Sequence, residues 1–507
     1  MKTCNLTFGT AGIRAVMGNS STELNFATIE AITHALICTL QKQNLVGSVV
    51  ITYDSRNHSV EFSQHTANIF ADCGYDVYLS QHCESTPFLS YCVRKLECVC
   101  GVNMTASHNP KEYNGYKVYN HFGAQIDIDF AEMVQSYLKV CHMAQPAQTK
   151  GKIRPIPQSV HDAYIDCVFQ STSFAEVDIS NLQVVYTPLH GVGAEKIQRV
   201  FERANLHAHY VANQMAPDGD FPTTRKPNPE EKDAFAHALT LAKAKQAEII
   251  LATDPDADRL GVMVLHNGKY ELLSGNMTGL VLLSFLLSAM QEANMNLTNK
   301  FVVKSIVSSS LAEEICNYYG VKLINVLIGF RYIGEQIELD EDNYLFGFEE
   351  SGGYLAGTHA RDKDAIEAAY IALKAAAYYK QQGKTLIDVI NDLYKQFGFV
   401  CDFNKTLSME PSAIADFMDR LRSNPPTHLG HDAIVTFDDF NRRDDALKSN
   451  IILMRTSAYQ IIIRPSGTEP KLKLYISAKD ASAQQALSIA QGAYQALLTL
   501  LGLPIEE

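Results

Sequence analysis

The chain has no Cys-x-x-Cys pair. Cys98 and Cys100 are the closest of its 11 cysteines, and its histidines are scattered. Neither a zinc site nor a disulfide framework is indicated, and reduced thiols are the simpler expectation. No apolar segment follows Met1-Lys2-Thr3-Cys4-Asn5, so no secretory leader is expected. The most apolar run, Leu280 to Leu287, is too short to cross a bilayer. Basic residues are in deficit, 43 Lys and Arg against 56 Asp and Glu, for a net charge of −13. That balance argues against nucleic-acid or membrane partners, and an anionic substrate would need a local basic pocket. Internal repeats and low-complexity segments are absent too. These absences leave a cytoplasmic globular protein, and the pattern specifies no oligomeric state.

At 507 residues the chain is too long for one core, and 46% apolar content is ample for several. A helical pattern from Phe26 to Gln41 precedes an apolar strand, Val49 to Tyr53, which ends in Asp54-Ser55-Arg56. Further short strands are expected around Val77–Leu79 and Val99–Val102. Strands alternating with helices imply βαβ units and a mainly parallel sheet. A second unit opens with Leu182 to Tyr186. Asn228-Pro229-Glu230-Glu231 reads as the capped start of a helix running to about Lys245, which feeds the strand Ile249 to Ala252. The third unit has a helix from Thr278 to Glu292 and strands at Lys300–Ile306 and Tyr344–Phe348. A fourth contains the strand Tyr459 to Ile463. The expected divisions are 1–170, 171–271, 272–398 and 399–507.

Five polar strings interrupt these elements. Phe8-Gly9-Thr10-Ala11-Gly12-Ile13-Arg14 is a turn with one cation. Thr105-Ala106-Ser107-His108-Asn109-Pro110 presents a hydroxyl beside an imidazole, with Lys117 ten residues on. As the loop past a strand's carboxyl end, it lies where open α/β sheets bind ligands. Asp254-Pro255-Asp256-Ala257-Asp258-Arg259 places three carboxylates on alternate residues, which suits one hard divalent cation. A solvated acidic turn competes, although Leu260 to Val264 buries the chain again at once. An EF-hand fails, because Arg259 stands where its glycine belongs. Glu349 and Ser351 flank a glycine-rich turn able to take sugar hydroxyls. Arg464-Pro465-Ser466-Gly467-Thr468 has the parts of a phosphate cradle.

Taken together and in this order, the five strings resemble those of the α-D-phosphohexomutases, the phosphoglucomutase and phosphomannomutase superfamily, along the whole chain. The resemblance implies three similar α/β domains with mixed, mainly parallel sheets, a smaller α+β C-terminal domain, and a central cleft. It implies exchange of a phosphoryl group between the 1 and 6 positions of a hexose, through a phosphoserine at Ser107 and a hexose 1,6-bisphosphate that also serves as activator. Mg²⁺ would be held by Asp254, Asp256 and Asp258 and bridge to phosphorylated Ser107. Lys117, His108 and Arg14 would handle the proton at the attacking hydroxyl. Arg259, Glu349, Ser351, Arg331, Lys363, Arg464, Ser466, Gly467 and Thr468 would bind the sugar phosphate. Arg331 stands where many members have Lys, and Gly353 where dual-specificity phosphomannomutases have His. Arg361-Asp362-Lys363-Asp364 also reads as a helix N-terminal charge cluster.

Glucose 1-phosphate and glucose 6-phosphate are the expected pair, with mannose phosphates beside them. Tyr186-Thr187-Pro188-Leu189-His190-Gly191 also looks like the branch containing phosphopentomutases. Strand-Asp-x-Asp opens haloacid-dehalogenase phosphatases, where Asp254 would be the nucleophile; Asp258 does not suit that family. A non-catalytic sugar-phosphate binder is the third alternative.

Overall fold

The computed structural model describes residues 4–466 and 470–504. Its first sheet contains β1 (Ile13–Val16), β2 (Ser48–Tyr53), β3 (Asp76–Leu79), β4 (Cys100–Met104), β5 (Tyr113–Asn120) and β6 (Ile153–Pro155). Their order is β1-β5-β4-β2-β3-β6, with β5 antiparallel to both neighbours and the remaining pairs parallel. Central strands of such sheets are covered on both faces and read as continuous apolar runs. In β2, Val49 and Ile51 face the helices Phe26–Lys42 and Ser59–Asp72, while Val50 faces Phe88, Leu89 and Tyr164 on the other side.

The second sheet contains β7 (Val184–Thr187), β8 (His209–Tyr210), β9 (Ile249–Thr253), β10 (Leu260–His266) and β11 (Lys269–Leu272), in the order β11-β10-β9-β7-β8. The third contains β12 (Phe301–Ser305), β13 (Lys322–Val326), β14 (Tyr344–Glu349) and β15 (Gly353–Leu355), in the order β13-β12-β14-β15. Both are mixed, with β10 and β15 running against their neighbours. One apolar cluster runs from Phe88 through Leu251 to Leu280 and Ile371, so the three sheets share a core. Their loops are thereby fixed relative to one another.

The fourth unit begins with β16 (Phe399–Ser408). A small hairpin, β17 (His428–Leu429) and β18 (Asp432–Ala433), stands apart from its sheet. β19 (Thr436–Asp439), β20 (Ile452–Arg455), β21 (Tyr459–Pro465) and β22 (Lys471–Asp480) complete an antiparallel sheet ordered β16-β22-β21-β20-β19. It has its own core, built on Ile461, Leu474 and Ala490, and touches the third unit through Val307, Phe440 and Ile462.

Two expected helix starts move. Asn228 does not cap an α-helix: its side chain accepts from the Glu230 amide, and regular helix starts only at Ala236, after a 3-10 turn. The cause is packing. A Cβ at Gly261 would lie 2.3 Å from the Pro229 carbonyl, so this segment is pressed flat against β10. The helix expected from Thr278 starts at Gly275 with Ser274 as its cap, because Gly275 lets its first turn sit against the Glu350 carbonyl. The eleven cysteines are free, and no helix among the described residues is long and apolar enough to cross a membrane.

Candidate active site

Three loops meet where β4, β9 and β14 end. After β4 the chain turns sharply, and Ser107 takes a left-handed φ of 52°. A non-glycine residue held there stores strain and needs support from its surroundings. Thr105 Oγ1 accepts from the Ser107 amide at 2.8 Å. Arg56 does more. Its guanidinium donates to the carbonyls of Ser107 at 2.6 Å, Pro110 at 2.8 Å, Tyr113 at 2.9 Å and also Asn109. Arg56 Nε faces Asp54 Oδ2 at 3.3 Å, and both side chains are fully buried. The polar end of β2 is therefore the clamp of the serine loop, a role its sequence alone did not disclose.

Ser107 Oγ donates to Asp254 Oδ2 at 2.7 Å and lies 3.2 Å from His108 Nδ1. Asp254 Oδ1 accepts from the amides of Asp258 and Arg259, both at 3.0 Å. Asp254, Asp256 and Asp258 are buried and offer oxygens within 4.8 Å of one another. Burial first, then the charges of Asp256 and Asp258, push the Asp254 carboxyl well above its ordinary range. Burial also acts to raise Asp256, but Lys117 and Thr86 outweigh it and hold that carboxyl well below. Lys117, from β5, reaches Asp256 Oδ2 at 2.6 Å and Asp258 Oδ2 at 3.4 Å. Lys363 reaches Asp258 Oδ2 at 2.9 Å and Asp362 Oδ1 at 3.2 Å.

Asp256 Oδ1 and Asp258 Oδ1 have no hydrogen-bond partner among the described residues. Unpartnered buried carboxylate oxygens are costly. Three converging hard oxygens fit a divalent cation such as Mg²⁺ and would be satisfied by one.

Around this centre the mouth is basic. Arg259 Nη1 pairs with Glu230 at 2.9 Å, and Arg14 Nη1 donates to Asn109 Oδ1 at 3.3 Å. Gly12 is required beneath it, since its φ is 74° and a Cβ would lie 1.9 Å from the Tyr116 carbonyl. Burial, then Arg259 and Arg14, push His108 well below its ordinary value, so it is a neutral imidazole near pH 7.

Glu349 closes β14, with its Oε1 accepting from the Gly329 amide at 2.7 Å. Burial and then Glu350 push its carboxyl up to about 7, against the opposing charge of Lys363. A carboxyl raised from 4.5 favours the folded state fully below 4.5, and that contribution is lost as pH rises through about 7. Ser351 is half-buried in the turn that follows, and this turn is tied to the triad strand by Leu260 donating to the Gly352 carbonyl at 2.9 Å. A Cβ at Gly353 would lie 2.3 Å from Lys363 Cδ, so the lysine occupies the space of a side chain there. Asp364 caps the helix Ala365–Gln381, as a helix N-terminal charge cluster would, while Lys363 reaches Asp258 of the triad.

Not every expected residue joins. Arg331 is buried, stacks at 4.2 Å over Tyr332, and faces the Ile126 carbonyl at 3.5 Å. Its planar fork suits that clamp better than a lysine would, and its contacts include none of the cleft residues. In the fourth unit Ser466 donates its amide to the Lys471 carbonyl at 2.9 Å, closing the loop that Arg464 opens. Burial, then Glu350 and Glu349, push the Tyr475 hydroxyl up, opposed by Arg464. Gly467 and Thr468 lie outside the described residues.

Models of phosphoglucomutase/phosphomannomutase alpha/beta/alpha domains match this chain: domain I over residues 5–140, domain II over 162–268 and domain III over 275–397. A phosphoglucomutase of Staphylococcus aureus (strain MRSA252) is 36% identical over 502 residues, covering 94% of this chain and 90% of that protein. Among solved structures, a phosphoglucomutase/phosphomannomutase family protein from Burkholderia thailandensis superposes with a TM-score of 0.75 at 19% identity, covering 97% of each chain. Pp63/parafusin, a phosphoglucomutase from Paramecium in its open form, gives 0.74 at 17%, covering 99% of this chain and 96% of that one. At such identities these two likenesses establish fold.

Proposed function

This chain belongs to the phosphoglucomutase/phosphomannomutase family of isomerases, and from that premise we propose that it interconverts α-D-glucose 1-phosphate and glucose 6-phosphate, with mannose phosphates as a lesser pair. The supporting observation is the 2.7 Å contact of Ser107 Oγ with the buried carboxylate triad. The working form carries a phosphoryl group on Ser107. A free sugar hydroxyl attacks its phosphorus, a P–O bond to the sugar forms as the bond to Oγ breaks, and the hydroxyl proton ends on Oγ. The product is a hexose 1,6-bisphosphate. The second transfer runs the same step backwards from the other phosphate.

Asp254, Asp256 and Asp258, with phosphorylated Ser107, would hold Mg²⁺, which neutralises charge during phosphoryl transfer. Lys117, His108 and Arg14 handle the proton at the attacking hydroxyl. Arg259 orients the phosphoryl group, and Lys363 steadies Asp258. Arg464, Ser466, Gly467 and Thr468 grip the phosphate that is not reacting. Glu349 and Ser351 take hydroxyls presented alike in both orientations of the sugar. The four sequence units divided at 170, 271 and 398 would then form four sides of one cleft. A phosphatase using Asp254 is disfavoured, because Asp258 stands where that family has Thr or Val and such a phosphatase would leave the Ser107 loop without a role.

The test is a kinetic panel of glucose, mannose, glucosamine and ribose 1-phosphates, with Mg²⁺ and a catalytic amount of glucose 1,6-bisphosphate. Glucose 1-phosphate should give the highest kcat/KM. Ribose 1-phosphate in first place would replace this reading with a phosphopentomutase.

Glu349 adds a pH dependence. An ionised carboxylate makes charge-assisted hydrogen bonds, roughly twice as strong as neutral ones. The KM for the sugar phosphate should therefore fall as pH rises through about 7, where Glu349 ionises. The substrate phosphate also titrates near there, so the difference between wild type and Glu349→Gln isolates the residue. Identical pH profiles for the two would remove Glu349 from sugar binding.

A further inference from the structure

Asp256 is gripped from a different unit of the chain. Thr86 opens the helix Thr86–Lys95, packed on the first sheet, and is wholly buried. Its amide donates to the Asp256 carbonyl at 2.9 Å, and its hydroxyl donates to Asp256 Oδ2 at 2.7 Å. Asn103, on β4, donates from Nδ2 to Thr86 Oγ1 at 2.9 Å, and Lys117 Nζ lies 3.5 Å from the same oxygen.

The direction of these bonds is fixed by inventory. An ionised carboxylate only accepts, and a threonine hydroxyl has one proton. That proton goes to Asp256 Oδ2, so the Asn103 amide must donate to the lone pairs left on Thr86. Lys117 donates to Oδ2 as well. Oδ2 is thereby saturated, and the unpartnered oxygen is Oδ1.

We propose that Thr86 is a positioning residue of the metal centre: with Lys117 it occupies Asp256 Oδ2 and so selects Oδ1 as the oxygen offered to the cation. This rests on the reading of the three aspartates as Mg²⁺ ligands. It gives the first unit a hold on the second unit's metal loop, at both backbone and side chain. Outer partners of this kind typically change metal affinity 10–100-fold when removed.

The experiment measures Mg²⁺ binding calorimetrically, and the Mg²⁺-induced rise in Tm, for wild type, Thr86→Val, Thr86→Ala, Thr86→Ser and Asp256→Asn. Val and Ala should weaken Mg²⁺ binding by about tenfold or more. Ser should keep wild-type affinity, since it retains the hydroxyl. The loss in turnover for Val and Ala should fall on kcat at fixed Mg²⁺ rather than on the KM for the sugar phosphate. If Val fails to fold, the Ala and Ser pair isolates the hydroxyl without placing a methyl against the carboxylate. Wild-type Mg²⁺ affinity in Thr86→Ala, with affinity lost in Asp256→Asn, overturns the role of Thr86 alone. Undiminished affinity in Asp256→Asn overturns the metal reading beneath it.

Discussion

Ser107→Ala should lose nearly all mutase activity, with kcat falling on the order of 10⁴-fold or more, as expected when a covalent nucleophile is removed. Oγ stands against Asp254 and beside His108, and alanine leaves no atom to carry the phosphoryl group. The fold should survive. The residue keeps its left-handed φ of 52°, which strains alanine and serine alike, and Arg56 holds carbonyls that the substitution leaves in place. Asp254 loses one donor but keeps the amides of Asp258 and Arg259. A buried acceptor left short in this way costs about 1–3 kcal/mol. Steady-state kinetics beside a thermal melt separates loss of chemistry from loss of structure. Substantial turnover in the folded variant would remove Ser107 from the reaction.

Arg56→Ala should be the most destabilising single change around the site. It leaves Asp54 buried without its cation and four loop carbonyls without their donor. Removing one partner of a buried ion pair costs about 3–5 kcal/mol. For a unit of this size that lowers Tm by roughly 6–20 °C. Activity should drop further than the folded fraction does, because Ser107 no longer has a fixed place. Arg56→Lys should recover only part of either loss, since a point charge does not fork to several carbonyls at once. A melt and an activity assay well below the transition would show both effects. Unchanged Tm and activity would show that the serine loop holds itself.

What the sequence disclosed and what it withheld follow from the range of the interactions involved. The convergence of Ser107 and the three aspartates was legible because their polar groups are packed into short strings at the ends of apolar strands. The alternation of β2, β4 and β9 with helices made the α/β sheets legible for the same reason. Arg56 and Thr86 were not legible. Each acts on a loop distant in the chain, Arg56 on the turn after β4 and Thr86 on Asp256, and only the folded sheets bring them together. Asn228-Pro229 has every local mark of a helix start, yet its contact with Gly261 overrides them. Arg331 carries a charge at a family position, but Tyr332 and Ile126 claim it. In the string Arg361–Asp364 the helix-start reading holds, because Asp364 caps the helix, and the fold also brings Lys363 to Asp258.

The central claim is that the phosphoryl group rides on Ser107. The direct measurement is intact-mass and peptide mapping of the protein after incubation with glucose 1,6-bisphosphate and Mg²⁺. The account predicts one phosphoryl group per chain, carried on the peptide containing Thr105 to Pro110 at Ser107, and passed to glucose 1-phosphate added after the bisphosphate is removed. A phosphoryl group found on Asp254, or no adduct in a protein that turns over, would contradict it.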